Sequence, residues 1–269
     1  MDLSQVADAL VLGVVEGVTE FLPVSSTAHL ILVGRLLGFH SPGNTFVVLI
    51  QLGAILAVIA AYVRRLLWVV IELPTSWKAR RFVIGLVLAS VPAAVVGAAA
   101  RDFITNVLYG SLLVIALALI LGGLALMWID RLDIKPNYYD AMKFPIPIAV
   151  TMGVFQTLAL IPGVSRSGAT ISAGLLIGCD KRSAAEYSFF MAIPVMVGAF
   201  VLDLYHNWSM LRFDDLGLIA IGFVAAFVSA LVVVRTLLGF VSRHGFEPFA
   251  WWRLVVGAAA LAAVLVYGA

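Results

Sequence analysis

The chain has 269 residues, of which 63 % are apolar and only 12 % charged, with a formal net charge of +2. Soluble domains carry roughly 25 % charge, so this composition excludes a soluble globular protein and calls for an integral membrane protein. The small net charge gives no electrostatic footprint for nucleic acid. The lone Cys179 leaves no disulfide framework and no cysteine-based metal site, and it reads as packing.

No cleavable signal peptide is expected, because the first residues lack a basic stretch and carry Asp2 and Asp8. A helix needs about 20 apolar residues to cross the hydrocarbon core. In chain order, the first apolar segment covers roughly 3–38 and is interrupted by Pro23 and Ser25-Ser26-Thr27. Apolar runs of spanning length follow at roughly 46–63, 82–100 and 110–129. A second interrupted segment, roughly 144–178, is broken by Pro162-Gly163 and Ser165-Arg166-Ser167. Runs at roughly 185–205 (flanked by Glu186 and Asp203), 215–234 and 250–268 complete the chain. Proline followed by small hydroxyl residues marks a helix break and a new helix start. Non-helical backbone at membrane depth is tolerated only inside protein or along a wet cavity. The expectation is therefore an all-α polytopic membrane protein, with six transmembrane helices and two re-entrant helix hairpins.

The two interrupted segments are related. Aligning 13–38 with 153–178 without gaps pairs Gly13 with Gly153, Ser25 with Ser165, Gly34 with Gly174 and Gly38 with Gly178, and sets Glu16 opposite the isosteric Gln156. The spaced glycines, the shared serine and the matching breaks at Pro23 and Pro162 carry this alignment. The sequence thus reads as one membrane domain, 1–269, made of repeat 1 (1–135) and repeat 2 (140–269). Each repeat holds one hairpin and three spans. An odd number of crossings per repeat makes the repeat inverted.

Cytoplasmic loops are enriched in Lys and Arg. With both termini outside, the inner face receives Arg64, Arg65, Lys78, Arg80, Arg81, Arg131, Lys135, Lys143, Lys181, Arg182, Arg235, Arg243 and Arg253. The outer face receives only Arg35, Arg101 and Arg212. The first hairpin then dips in from outside and the second from the cytoplasm, so that their tips meet where discontinuous helices build sites.

Chemistry concentrates at those tips, and ionisable groups in apolar membrane segments mark functional sites by default. Glu16 and Glu20 stand i, i+4 on one helix face. Two like charges there call for a proton or a cation between them, and a hard divalent metal suits paired carboxylates. Ser25, Ser26 and Thr27 open the next helix, where free backbone N–H groups favour an anion and where any one hydroxyl also serves as a cap. His29 falls three residues after Ser26, within reach of its hydroxyl on the same face. A hydroxyl beside an imidazole is a minimal activated nucleophile. In the second tip, Ser165, Ser167, Gly168 and Thr170 surround Arg166, whose guanidinium offers a bidentate fork for phosphate. Arg166 is the one basic residue expected at mid-depth, with an ion pair to Glu16 or Glu20 as the plainer alternative. Gln51 and Gln156 are candidates to line the cavity. Glu186 and Asp203 are placed near span ends, Trp251 and Trp252 in an interfacial belt, and His40, His206 and His244 at the surface.

At these residues the chain closely resembles the bacterial undecaprenyl-pyrophosphate phosphatases, the family associated with bacitracin resistance. Its motifs stand here as Glu16-x-x-x-Glu20 and Pro162-Gly163-Val164-Ser165-Arg166-Ser167-Gly168-Ala169-Thr170, with His29 and Ser25-Ser26-Thr27 matching the first hairpin. The resemblance implies a hydrolase of the bacterial inner membrane that converts undecaprenyl pyrophosphate to undecaprenyl phosphate. It also implies a divalent cation, Mg2+ or Ca2+, and a site opening to the outer face; a homodimer stays open. The mechanism expected is attack by Ser26 with His29 as base. Phosphohistidine formation at His29 and direct attack by metal-bound water are the variants. Glu20 and Arg166 join the catalytic set, Glu16 and Glu20 the metal site, and Ser25, Thr27, Ser165, Ser167, Gly168, Thr170 and Gln156 the substrate contacts. Broken helices in an inverted repeat are equally a transporter signature, so a polyprenyl-phosphate flippase is the competing expectation.

Overall fold

The structure is a computed structural model, and residues 2–39, 45–207 and 216–267 are described. Among these residues the chain is helical, apart from turns and one isolated bridge between Tyr138 and Cys179. The first broken segment forms α1 (Leu3–Thr19) and α2 (Ser26–Leu37). It is followed by α3 (Thr45–Ala61), α4 (Val63–Glu72), α5 (Trp77–Ala99), the single turn α6 (Arg101–Phe103) with a π turn after it, and α7 (Leu112–Asp130). The second broken segment forms α8 (Ile146–Gln156), a 3-10 turn over Thr157–Leu160, and α9 (Arg166–Leu176). Three long helices close the chain: α10 (Lys181–Asn207), α11 (Leu216–His244) and α12 (Glu247–Tyr267).

Both breaks fall where the prolines and hydroxyl clusters put them. Among the described residues, Ser25 (φ 73°) and Ser165 (φ 75°) are the non-glycine residues with positive φ, each immediately before the second helix of its pair. Gly38 and Gly178, also matched in the alignment, follow those second helices at φ 66° and 84°. At 1.5 Å per residue, α1 is about 25 Å long and α2, α8 and α9 are each shorter, against a hydrocarbon core of about 30 Å.

Helices α5, α7, α10, α11 and α12 are long and apolar enough to cross a membrane. The run at 46–63, expected as a straight span, ends at Ala61, and the chain bends by 74° into α4. Sequence reading missed α4 because Arg64, Arg65 and Glu72 interrupt its apolar residues. Of its exposed apolar side chains, Val63, Leu67, Val70 and Ile71 recur at i, i+4, i+7 and i+8, with Trp68 beside them at i+5. That stripe suits a helix lying along an interface.

The halves interlock: α1 packs on α11 of the other half, as α8 packs on α5, and α7 runs along α12. Matched glycines permit both approaches. A Cβ on Gly13 would collide with the Gly222 carbonyl on α11, and one on Gly153 with the Ala89 carbonyl on α5. Small residues at such crossings let backbones approach closely. Ion pairs gather at one end of the bundle: Arg65–Glu186 at 2.6 Å, Lys181–Asp130 at 2.7 Å, Lys143–Asp140 at 2.9 Å, and Arg131–Glu247. The second Asp130 oxygen accepts the N–H groups of Phe246 (2.8 Å) and Glu247 (3.2 Å), which anchors the start of α12. Buried Phe21 of the first break meets Phe189 of α10 edge to face at 5.4 Å, tying that break to the core.

Candidate active site

The two breaks lie against each other. The Ser167 hydroxyl donates to the Leu22 carbonyl at 2.8 Å, and Arg166 Nη2 stands 3.4 Å from Glu20 Oε1. Between them is a cavity of about 100 Å3, lined by Glu20, Ser25, Ser26 and Thr27 from one side and Pro162, Gly163, Ser165 and Arg166 from the other. Gln51 of α3 also lines it, whereas Gln156 does not.

Several polar groups at the two breaks are tied to named partners. Glu20 receives the Ser26 hydroxyl on Oε2 and Arg166 on Oε1. Arg166 is held from below, with Nη1 donating to the Ser188 carbonyl at 2.9 Å. The Ser188 hydroxyl shares a 2.8 Å hydrogen bond with Thr170, so α10 supports the second tip through one residue that sequence reasoning did not single out. Ser165 accepts the Gly168 N–H at 3.1 Å and caps α9, with the Ser167 hydroxyl 3.1 Å away. Ser167, Gly168 and Thr170 are buried and do not line the cavity, so they shape the tip from behind.

The expected Ser26–His29 pair is not made. His29 Nδ1 lies 2.8 Å from the Ser25 carbonyl, one turn back, so that nitrogen carries the proton. Its Nε2 accepts the indole N–H of Trp252 at 2.8 Å, with the two ring planes 11° apart. Both ring nitrogens are engaged, and His29 does not line the cavity. The carboxylate of Glu20, rather than an imidazole, is the proton acceptor on Ser26. Trp252 is half exposed, as a belt residue would be, but its polar end is committed to His29.

Glu16 is fully buried, and neither of its oxygens has a hydrogen-bond partner; the same holds for both ends of the Gln156 amide, at the matched position. Among the described residues no group of three or more His, Cys, Asp or Glu gathers in metal-binding geometry. Glu16 and Glu20 stand one turn apart, but Glu16 does not line the cavity and both Glu20 oxygens are engaged by Ser26 and Arg166, so a hard cation would draw first on the unclaimed Glu16 oxygens.

Arg253 corrects the charge reading. Expected on the inner face, it is 1 % exposed, inside the run at 250–268. It donates to the carbonyls of Pro23 (3.3 Å) and Gly163 (3.0 Å), one at each break. Its position three residues past the start of a predicted span was the available signal. Glu186, placed near a span end, stands there and pairs with Arg65. His244 is exposed at the end of α11. His40, Arg212 and the side chains of Asp203 and His206 lie outside the described residues.

Fold and site together define a polytopic membrane protein with a hydroxyl-, carboxylate- and guanidinium-lined pocket between two broken helices. A family model described as bacitracin resistance protein BacA matches residues 9–259. Undecaprenyl-diphosphatase 1 of Agrobacterium fabrum is 60 % identical over 263 residues, 98 % of each chain. Undecaprenyl-diphosphatase of Sinorhizobium fredii is 58 % identical over the same length, and that of Caulobacter vibrioides 57 % over 258 residues, 96 % of this chain and 97 % of the relative. The chain belongs to the bacitracin resistance protein BacA family.

Proposed function

We propose that this membrane protein hydrolyses undecaprenyl pyrophosphate to undecaprenyl phosphate and inorganic phosphate, recycling the lipid carrier for peptidoglycan synthesis and conferring resistance to bacitracin. Full-length relatives named undecaprenyl-diphosphatase support this over the flippase reading. The observation that carries the chemistry is a serine hydroxyl hydrogen-bonded to a carboxylate that also faces an arginine across the pocket.

On this reading the polyprenyl tail stays in lipid while the pyrophosphate enters the cavity. Arg166 and the hydroxyls of Ser25, Thr27 and Ser165 hold phosphoryl oxygens; phosphoryl transfer is mostly positioning and charge stabilisation. Glu20 takes the Ser26 proton as Oγ bonds to the terminal phosphorus and the bond to the bridging oxygen breaks, releasing undecaprenyl phosphate. The departing undecaprenyl phosphate takes that proton from Glu20; water then attacks the phosphoserine, Glu20 takes the water proton and returns it to Ser26 Oγ as the Oγ–P bond breaks, and inorganic phosphate leaves. Mg2+ or Ca2+ would be held by Glu16 and Glu20, and would neutralise charge on the pyrophosphate. The breaks are the tips of re-entrant hairpins in an inverted repeat, with both termini outside and the site open to the outer face of the bacterial inner membrane.

Phosphate release by the purified protein in lipid with Mg2+ tests the reading. Ser26→Ala and Glu20→Gln are each expected to lower kcat by about 1,000-fold, the range for removing a nucleophile or general base. Lipid movement without phosphate release by the wild-type chain would overturn it in favour of transport.

A further inference from the structure

Arg253 makes hydrogen bonds to four carbonyls and has no carboxylate partner among the described residues. Two of those carbonyls, Pro23 and Gly163, belong to the two breaks; Ala118 (3.1 Å) and Leu119 (3.4 Å) belong to α7. A guanidinium buried at membrane depth without a counter-ion is costly, so plain packing does not account for it. Carbonyls released where a helix breaks need donors. Only a planar fork reaches acceptors in three separate chain segments at once. The surroundings are cut to its shape: a Cβ on Gly122 would collide with Nη2, and one on Gly168 would stand 2.9 Å from Nη1.

We propose that Arg253 is a positioning residue that sets the register between the two tips. It holds Ser26 and Glu20 on one side and Arg166 on the other around a single phosphoryl group. The inference rests on the phosphatase reading. Arg253 lies behind the pocket and does not line it, so it acts through backbone placement and does not touch substrate. Its neighbour Trp252 fastens His29 on the first tip, so two consecutive α12 residues reach the same break.

The alternative role is electrostatic, a positive charge lowering the cost of an anion nearby. Lysine keeps that charge but presents a single point where the fork presents spread donors, so Arg253→Lys separates the two. The full-length protein in lipid is assayed with undecaprenyl pyrophosphate for kcat and KM, beside its thermal midpoint. Register control predicts that Arg253→Lys and Arg253→Met both lose about 100-fold in kcat with KM within about threefold, as a displacement near 1 Å does. Gly122→Ala, which keeps the arginine but crowds Nη2, should lose about tenfold at constant charge. Arg253→Lys within about threefold of wild type, or a change confined to KM, overturns the proposal. So does a loss that vanishes when each variant is assayed well below its own midpoint, because that marks a purely structural tie. A wild-type protein releasing no phosphate instead removes the phosphatase reading itself, before any variant is compared.

Discussion

The proton on Ser26 has one acceptor in this geometry, and it is Glu20. His29 was the more obvious base in the sequence, since an imidazole three residues from a serine on one helix face usually earns that role. What the spacing could not convey is that Nε2 would be claimed by an indole 223 residues away. The consequence is measurable. Glutamine at position 29 can accept from Trp252 through its amide oxygen and still donate to the Ser25 carbonyl, so His29→Gln should cost less than about tenfold in kcat, whereas removing a general base costs about 100- to 10,000-fold. Trapping with labelled substrate should give an acid-stable phosphoester on Ser26. An acid-labile phosphoramidate, or collapse of the His29→Gln variant, would move the nucleophile or the base back to His29. Arg253 was missed for a related reason. Its partners are carbonyls, which no residue pattern announces, and it stands just inside a span beside two tryptophans that draw the eye to the interface.

Among the elements, the broken pairs were legible because backbone chemistry writes them directly. Pro23 and Pro162 lack an N–H, and the serines that follow begin new helices. The conformation of Ser25 and Ser165 was not legible. Positive φ in a non-glycine residue is uncommon, and holding it costs about 1–3 kcal/mol, a cost that clusters at functional sites. The two serines differ in compensation: Ser165 caps α9 through the Gly168 N–H, whereas Ser25 makes no capping bond. Ser25→Gly should therefore raise the thermal midpoint, while Ser165→Gly should gain little because it forfeits its cap. Ser25→Val should lower the midpoint, since a β-branched side chain resists positive φ. Equal shifts for both glycine variants would remove the argument. The glycines at 13 and 153 were legible as matched positions, but their purpose appears only when α11 and α5 are seen pressed against them. The helix α4 was hidden because its charges, read as an inner-face signal, also concealed ten helical residues.

At the scale of the molecule, the question is which way each half enters the membrane. Ion pairs collect the start of α4 and the ends of α7, α10 and α12 on one side, through Arg65–Glu186, Lys181–Asp130 and Arg131–Glu247. These are segments that the basic-residue distribution assigns to the cytoplasm. Trp77 and Tyr139 are exposed near that end, and Asp2 and Phe103 lie in segments assigned to the opposite one. Single cysteines at these four positions, in a Cys179→Ser background because the native thiol is buried, report the orientation through a membrane-impermeant maleimide. In intact cells with the outer membrane opened, positions 2 and 103 should label and positions 77 and 139 should label only after the inner membrane is permeabilised. An inverted repeat predicts this pattern, because a hairpin that returns to its own side would leave each half with three crossings. If the hairpin of the first half crossed fully instead, positions 2 and 103 would report opposite sides. A single discordant pair would then reassign α1 and α2, and with them the side from which the pyrophosphate reaches Glu20 and Arg166.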